Sequence, residues 1–114
     1  EWIVAITTTE YKRCHVVKME GRIDSSNGDE VYKVFQALND KEKYKIVFDM
    51  SEVGFMSSKG WWVLIETQKA CKRYNRGELV LSGVQEKILA SLDLVGMKNY
   101  FNLFDDVVSA VASF

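Results

Sequence analysis

Two adjacent serines, Ser57 and Ser58, are the side chains whose type and position could do chemistry in this chain. They lie in the segment FMSSKGWW, residues 55–62, immediately before an apolar helical pattern. The first backbone N–H groups of a helix have no partner within the helix, and they carry positive partial charge. A serine hydroxyl here can therefore cap the helix, or it can accept a phosphate group that the helix end would stabilise. The residues alone leave both interpretations open.

Two side chains near these serines could belong to the same site. Lys59 is either a solvated surface lysine or the ion-pair partner of an acidic protein or of a phosphate on Ser58. Trp62 should be partly exposed, and it either anchors an interface or packs under the GRID loop, residues 21–24. Asp24, which lies much earlier in the chain, precedes the first helix and could be its N-cap.

The chain lacks the residue groups on which most enzymes and metal sites depend. His15 is the only histidine, and Cys14 and Cys71 lie far apart in the sequence, so no nucleophile–base pair and no ligand cluster is evident. We expect both cysteines to be reduced, buried thiols. Asp49 occupies the place of a receiver-domain phosphoacceptor, but residues 7–13, TTTEYKR, lack the acidic pair that such a site needs for its metal ion. An enzyme, a metal ion or a cofactor is therefore not expected.

Charge and hydropathy exclude two further classes of protein. The 114 residues have a net charge of −1 with acids and bases mixed along the chain, whereas nucleic-acid-binding proteins usually show a basic excess. No apolar run approaches the ~20 residues of a membrane span, and no signal peptide is visible. We expect one cytoplasmic domain over residues 1–114 that neither binds nucleic acid nor inserts into a membrane.

Apolar and β-branched runs predict five strands. They span residues 2–8, 15–20, 45–50, 78–82 and 100–104. The polar residues between the first two runs are typical of a hairpin connection. The third run is short and almost wholly apolar, as in a strand buried on both faces.

Four amphipathic patterns predict helices between and after these strands. The first follows the Asn27-Gly28 pair, the second runs from about Ser57 to Tyr74, and the last ends the chain. The side chains predicted to face inward are Val31, Val34, Phe35 and Leu38 in the first helix, Trp61, Leu64, Ile65 and Gln68 in the second, Ile88, Leu89 and Leu92 in the third, and Val107, Val108, Val111 and Phe114 in the fourth.

Cap residues predict where these helices begin and end. Gly77 is expected to terminate the second helix in a left-handed conformation. Ser82 and Gln85 are expected to form a capping box at the start of the third helix, which Gly96 should end. Asp105 is expected to cap the fourth helix.

The predicted element order, β-β-α-β-α-β-α-β-α, defines the fold class. Strands that alternate with helices pair in parallel, and the opening hairpin adds one antiparallel edge. We therefore predict a single α/β domain in which a mixed sheet of four to five strands packs with four helices.

Four segments, in this order and at this spacing, resemble the STAS domain, and within it the bacterial anti-anti-sigma factors, or anti-sigma factor antagonists. The resemblance covers nearly the whole chain. The segments are GRID at 21–24, KIVFDMSEVGFMSSKG at 45–60, GELVLSGV at 77–84 and LDLVGMKNYFNLFDD at 92–106.

The resemblance implies a phosphorylation switch at Ser58, with Ser57 as the second candidate. In that family a serine at the start of the second helix is phosphorylated by the partner anti-sigma factor, a GHKL-type serine kinase, and a phosphatase resets it. The unmodified domain binds the kinase and frees the sigma factor, whereas the phosphorylated domain releases the kinase. The implied partner-binding residues are Asp24, Ser57, Ser58, Lys59 and Trp62.

The pattern around the acceptor departs from that of the family. Ser57 stands where the family has an aspartate, Lys59 where it has serine or alanine, and Trp62 where a small residue is common, while Gly60 matches. STAS domains also serve as scaffold subunits of transporters or signalling assemblies without phosphorylation, so this role is the alternative. The oligomeric state is left open.

Overall fold

The computed structural model describes residues 6–94, Gly96 and residues 98–114, and it has the predicted order of elements. The strands are β1 (Ile6–Glu10), β2 (His15–Ile23), β3 (Lys45–Met56), β4 (Glu78–Ser82) and β5 (Leu103–Phe104). The helices are α1 (Gly28–Asp40), α2 (Ser58–Lys72), α3 (Glu86–Leu94) and α4 (Val107–Ala112). Short 3-10 helices span Arg73–Asn75 and Lys98–Tyr100.

The five strands form one mixed sheet in the order β1-β2-β3-β4-β5. The β1–β2 hairpin is antiparallel and the other three pairs are parallel, as predicted. The carboxyl ends of the parallel strands therefore meet at one edge of the sheet, and the loops that follow them come together there. The opening hairpin loop lies at the opposite edge.

Alternation along the strands divides the core between the two faces of the sheet. Val17 and Phe48 are buried in the larger cluster, together with residues of α1, α2 and α3. Val16, Val47 and Val80 form a row on the other face, where Ala110 of α4 covers them. Three helices thus pack on one face and α4 packs on the other.

Helix α2 is fixed to the sheet by a buried glutamine as well as by apolar contacts. Gln68 is fully buried; its amide nitrogen donates to the Leu79 carbonyl at 2.9 Å and its amide oxygen accepts from the Leu79 N–H at 2.7 Å. Trp61 and Leu64 are buried on the same helix face, as predicted. Because the glutamine satisfies both backbone groups of Leu79, its burial leaves no polar group without a partner.

Several strand boundaries differ from the prediction. Strand β3 continues for six residues past the apolar run 45–50, and β2 continues through the GRID segment to Ile23. Residues 2–5 of the predicted first strand lie outside the described residues. The predicted strand 100–104 is reduced to Leu103–Phe104, because a 3-10 helix occupies the residues up to Tyr100.

Two predicted caps are wrong. Asp106, not Asp105, caps α4, and its carboxylate accepts from the Ser109 N–H at 2.8 Å. Ser82 lies inside β4 and is fully buried, so it forms no capping box, and Gln85 instead donates from its side chain to the Ser51 carbonyl at 3.2 Å.

The inward-facing positions of the helices are otherwise mostly confirmed. Val108 is the exception, with 78% of its surface exposed, because α4 presents Ala110 to the sheet. Gly96 adopts φ +74°, which suits a residue just beyond a helix.

The end of α2 is built differently from the prediction. Tyr74 and Asn75, not Gly77, take positive φ angles of 58° and 56°. The Arg76 guanidinium donates to the carbonyl of Ala70 at 2.7 Å and to the Tyr44 hydroxyl at 2.8 Å. It thereby satisfies a helix carbonyl that a left-handed glycine was expected to serve. Gly77 is required for another reason, because a Cβ there would overlap the Tyr44 carbonyl.

Both cysteines are buried free thiols, as predicted. Burial raises the pKa of Cys71 to about 11, so this thiol stays protonated at neutral pH. In the part of the chain that the structure describes, no helix is long and apolar enough to cross a bilayer.

We expect Gly77→Ala to destabilise the fold by about 1–3 kcal/mol, because the new methyl group meets rigid backbone. Gly54→Ala is the matched control, since a Cβ at Gly54 meets nothing within 4 Å and its φ is not positive. Urea unfolding followed by circular dichroism measures both variants. Equal midpoints for the two variants would contradict the role given to Gly77.

Candidate functional site

Ser57 and Ser58 lie at the carboxyl edge of the sheet, where β3 passes directly into α2. The Ser57 N–H donates to the Ile23 carbonyl at 2.9 Å, which joins the start of α2 to the end of β2. Ser57 is the N-cap, and its hydroxyl accepts from the Gly60 N–H at a long 3.4 Å. Ser58 is the first helical residue and is exposed. The cap interpretation therefore describes Ser57, and it leaves the Ser58 hydroxyl facing solvent.

The position of Ser58 is fixed by close packing of Gly60 against the strand ends. A Cβ on Gly60 would lie 2.8 Å from the Met56 sulfur and 3.0 Å from Cγ2 of Ile23. The absence of a side chain at Gly60 lets the first turn of α2 lie close against β2 and β3, and a methyl group there would require the Met56 side chain to shift. The sheet therefore holds Ser58 at a defined place on the surface.

Lys59 forms an ion pair with a carboxylate of the chain itself. An acidic partner or a phosphate would therefore compete with this carboxylate for Lys59. Its Nζ lies 2.8 Å from Oδ1 of Asp29 in the first turn of α1 and 4.5 Å from the centre of the Trp62 ring. Its aliphatic stem lies over Gly28. The hydrogen bond from Lys59 holds the pKa of Asp29 below its ordinary value.

The two tryptophans divide between core and surface, as predicted. Trp61 is buried, and its indole N–H donates to the Ser91 hydroxyl at 2.9 Å. Trp62 is 43% exposed, and its ring contacts Tyr32 of α1 edge-on at 5.2 Å between ring centres. Trp62 therefore packs against α1 and Lys59 and keeps almost half of its surface available.

Asp24 is not the N-cap of α1, which corrects one of its two interpretations. That position belongs to Asn27. The Asp24 carboxylate accepts from the Ser26 hydroxyl at 2.5 Å, from the Ser26 N–H at 2.9 Å and from Arg22 Nε at 3.3 Å. The hydrogen bonds from Ser26, followed by Arg22, hold its pKa below the ordinary value.

Sequence reasoning missed an exposed aromatic side chain beside the serines. Phe55 is 41% exposed, and the Arg22 guanidinium carbon lies 4.4 Å from the centre of its ring. The signal was present, since Phe55 alternates with the buried Met56 at the end of β3. Through Arg22, the Asp24 carboxylate adjoins the same surface.

We use the name Ser58 surface for Ser58, Lys59, Trp62, Phe55 and Arg22. It offers a solvent-facing hydroxyl at a helix start, two half-exposed aromatic rings, and a cation near each ring. Within residues 6–94, 96 and 98–114, no group of three or more His, Cys, Asp or Glu side chains could hold a metal ion. The arrangement suits the docking of a protein and the modification of a hydroxyl.

Three solved structures share this fold at low sequence identity. An anti-sigma factor antagonist from Mycobacterium paratuberculosis superimposes with a TM-score of 0.86 at 19% identity, covering 97% of this chain and 93% of that one. The phosphorylated form of the Bacillus cell fate determinant SpoIIAA gives 0.76 at 12%, covering 96% and 98%. A sulfate transporter family protein from Wolinella succinogenes gives 0.72 at 21%, covering 86% and 81%.

Comparison of sequences leads to the same family. The anti-sigma-B factor antagonist of Listeria monocytogenes is 24% identical over 101 residues, which is 88% of each chain. The family model of the STAS domain matches residues 5–110. The chain therefore belongs to the STAS domain family, and among the members of that family it is similar to anti-sigma factor antagonists.

Proposed function

We propose that this chain is an anti-sigma factor antagonist that binds an anti-sigma factor through the Ser58 surface and is released when Ser58 is phosphorylated. The partner would be a GHKL-type serine kinase that modifies Ser58 itself, and a phosphatase would reset the switch. The observation that carries the proposal is the exposure of Ser58 at the start of a 15-residue helix, between two half-exposed aromatic residues. The chain then acts by binding and not as an enzyme.

A phosphate on Ser58 should change the stability of the fold very little, because of its position at a helix start. A phosphoserine carries about −1.5 to −2 charges at pH 7. At the amino end of α2 these charges meet unpaired N–H groups and positive partial charge. The helix-dipole contribution is only ~0.3–1 kcal/mol at an exposed place. Phosphorylation should therefore leave the domain folded.

The same phosphate should strongly destabilise the complex with a bound partner. A protein that covers Trp62 should also remove water from Ser58, because residues four apart in α2 lie on the same helix face. A charge that loses its water without gaining a partner can cost several kcal/mol. The difference between a small effect on the fold and a large effect on the complex is what a binding switch requires.

The neighbouring charged residues have supporting roles in this proposal. Lys59 is held by Asp29, so it shapes the surface through Trp62 instead of presenting a free cation. Asp24 orders the turn before α1 and adjoins Arg22. Ser57 caps α2 at the residue immediately before Ser58.

A scaffold role without phosphorylation is the second candidate. Ser57 occupies the position of the family aspartate, and the fold is also that of a sulfate transporter family protein from Wolinella succinogenes. The two candidates differ in what the chain binds. A scaffold would bind a transporter or signalling subunit equally well before and after any change at Ser58.

Substitutions of the two serines should have opposite consequences. We expect Ser57→Ala to lower the free energy of unfolding by about 1 kcal/mol through loss of the cap, while phosphorylation continues. Ser58→Ala should leave stability nearly unchanged and abolish phosphorylation. Intact mass after incubation with ATP and the proposed partner kinase measures the modification.

The modified residue can be located within one peptide. Trypsin releases residues 46–59, which contain Ser51, Ser57 and Ser58, and fragmentation distinguishes the three. Ser58→Asp should retain the fold and weaken binding to the kinase by about tenfold or more. A phosphate on another residue, or full binding by Ser58→Asp, would contradict the proposed switch.

Trp62 should contribute strongly to partner binding. We expect Trp62→Ala to weaken the complex with the kinase by about thirtyfold or more, as truncation of a central aromatic anchor does. Tyr11→Ala is the matched control, since Tyr11 is 44% exposed at the other end of the molecule. Calorimetric titration compares the two variants, and equal affinities would remove Trp62 from the interface.

The ion pair beside Ser58 predicts a pH dependence. In Lys59→Met, which retains the stem, the pKa of Asp29 should return toward its ordinary value, whereas Lys33→Met should have a smaller effect. A lowered pKa stabilises the fold above the unfolded-state value of about 3.9, and this stabilisation is lost as pH falls through the folded-state value. The difference in melting temperature between wild type and Lys59→Met should therefore shrink on acidification. NMR titration of the Asp29 carboxyl tests the shift directly, and an unchanged pKa in Lys59→Met would contradict it.

A further inference from the structure

A polar cleft lies at the end of the molecule opposite Ser58. It has a volume of about 170 Å³ and is formed by the β1–β2 hairpin loop, the loop between α1 and β3, and Arg76 of the loop after α2. Helix α2 separates the two ends, and its 15 residues extend for about 22 Å. The cleft is therefore independent of the Ser58 surface.

Positive charge is concentrated in this cleft. Its lining contains five cations, Lys12, Arg13, Lys43, Lys45 and Arg76. Two carboxylates, Glu10 and Glu42, also line it, which leaves a formal excess of three positive charges. The whole chain has a net charge of −1, so the charge is segregated and the cleft attracts anions.

The lysines of the cleft have no carboxylate partner among the described residues. Lys12, Lys43 and Lys45 form no ion pair within 4.0 Å in that part of the chain, whereas Lys59 and Lys69 do. Glu10 lies nearest to a ring nitrogen of His15, at 3.9 Å. The ammonium groups therefore keep their hydrogen-bond donors for a ligand.

The lysine side chains do not cap the carboxyl end of α1. Its last carbonyls, those of Leu38 and Asn39, accept from the backbone N–H groups of Lys41, Glu42 and Lys43. The side chains are not needed to satisfy the helix end. Arg76 differs, because its guanidinium already donates to three oxygens of the chain. It contributes positive charge to the cleft, and these hydrogen bonds hold its side chain in place.

We propose that this cleft binds a small multivalent oxyanion of the phosphate class, such as inorganic phosphate or pyrophosphate. Lysine ammonium groups bind phosphate oxygens as point charges. Pockets for larger organic ligands usually measure about 300–1,000 Å³, whereas this cleft measures about 170 Å³. A small anion therefore suits the cleft better than a large organic ligand.

The test is a titration of the ¹⁵N-labelled chain with sodium pyrophosphate, followed by amide chemical shifts, with sodium chloride added to the reference at equal ionic strength. We expect saturable shifts for amides of residues 11–14 and 42–45. The double variant Lys43→Gln with Lys45→Gln should weaken binding by about tenfold or more, since hydrogen bonds to charged groups are among the stronger ones.

A charge-matched control separates a specific cleft from general attraction. Lys33→Gln with Lys87→Gln also removes two exposed lysines, and neither lines the cleft. This control should bind pyrophosphate as the wild type does. Circular dichroism verifies that both double variants are folded. Shifts no larger than those with chloride, or equal weakening in the two double variants, would overturn the proposal.

Discussion

The structure depends on the direct passage of β3 into α2. No loop separates them, because Ser57 alone lies between Met56 and Ser58, and its N–H is bound by the Ile23 carbonyl. Gly60 then lets the helix lie against the ends of two strands. This junction turns a central strand of the sheet into the support of an exposed hydroxyl. The site therefore lies on the surface but is anchored to the ends of two strands of the sheet.

Both ends of α2 lie beside surfaces that favour anions, but the source of the positive charge differs. At its amino end, free N–H groups favour an anion near Ser58, and the cation beside it, Lys59, is neutralised by Asp29. Its carboxyl end is closed by Arg76, and the basic cleft lies beyond. A protein of nearly zero net charge can thus present two distinct surfaces. Charge counted over the whole sequence conceals this, because it sums residues that the fold places far apart.

Local signals predicted the elements well, and contacts between distant residues account for the errors. The helical periods around Phe35 and Leu64 identified faces that are indeed buried. Gly77 was assigned to a left-handed turn, but its constraint is the carbonyl of Tyr44, which lies 33 positions away in sequence. Lys59 was treated as a surface charge because its partner, Asp29, precedes it by 30 positions. Periodicity predicts which face of a helix or strand is buried, but it does not predict which distant residue will contact a given side chain.

The contacts around Trp62 connect the first turn of α2, which contains Ser58, to a second element. Lys59 lies over Gly28, pairs with Asp29 and contacts the Trp62 ring, while that ring packs on Tyr32. The first turns of α1 and α2 are therefore held together by one small cluster directly beside Ser58. The proposed phosphate on Ser58 would place negative charge in the same turn of α2 as Lys59, the cation that holds Asp29. A partner that binds the Ser58 surface would therefore be affected both by the added charge and by a change in the contacts that hold Trp62.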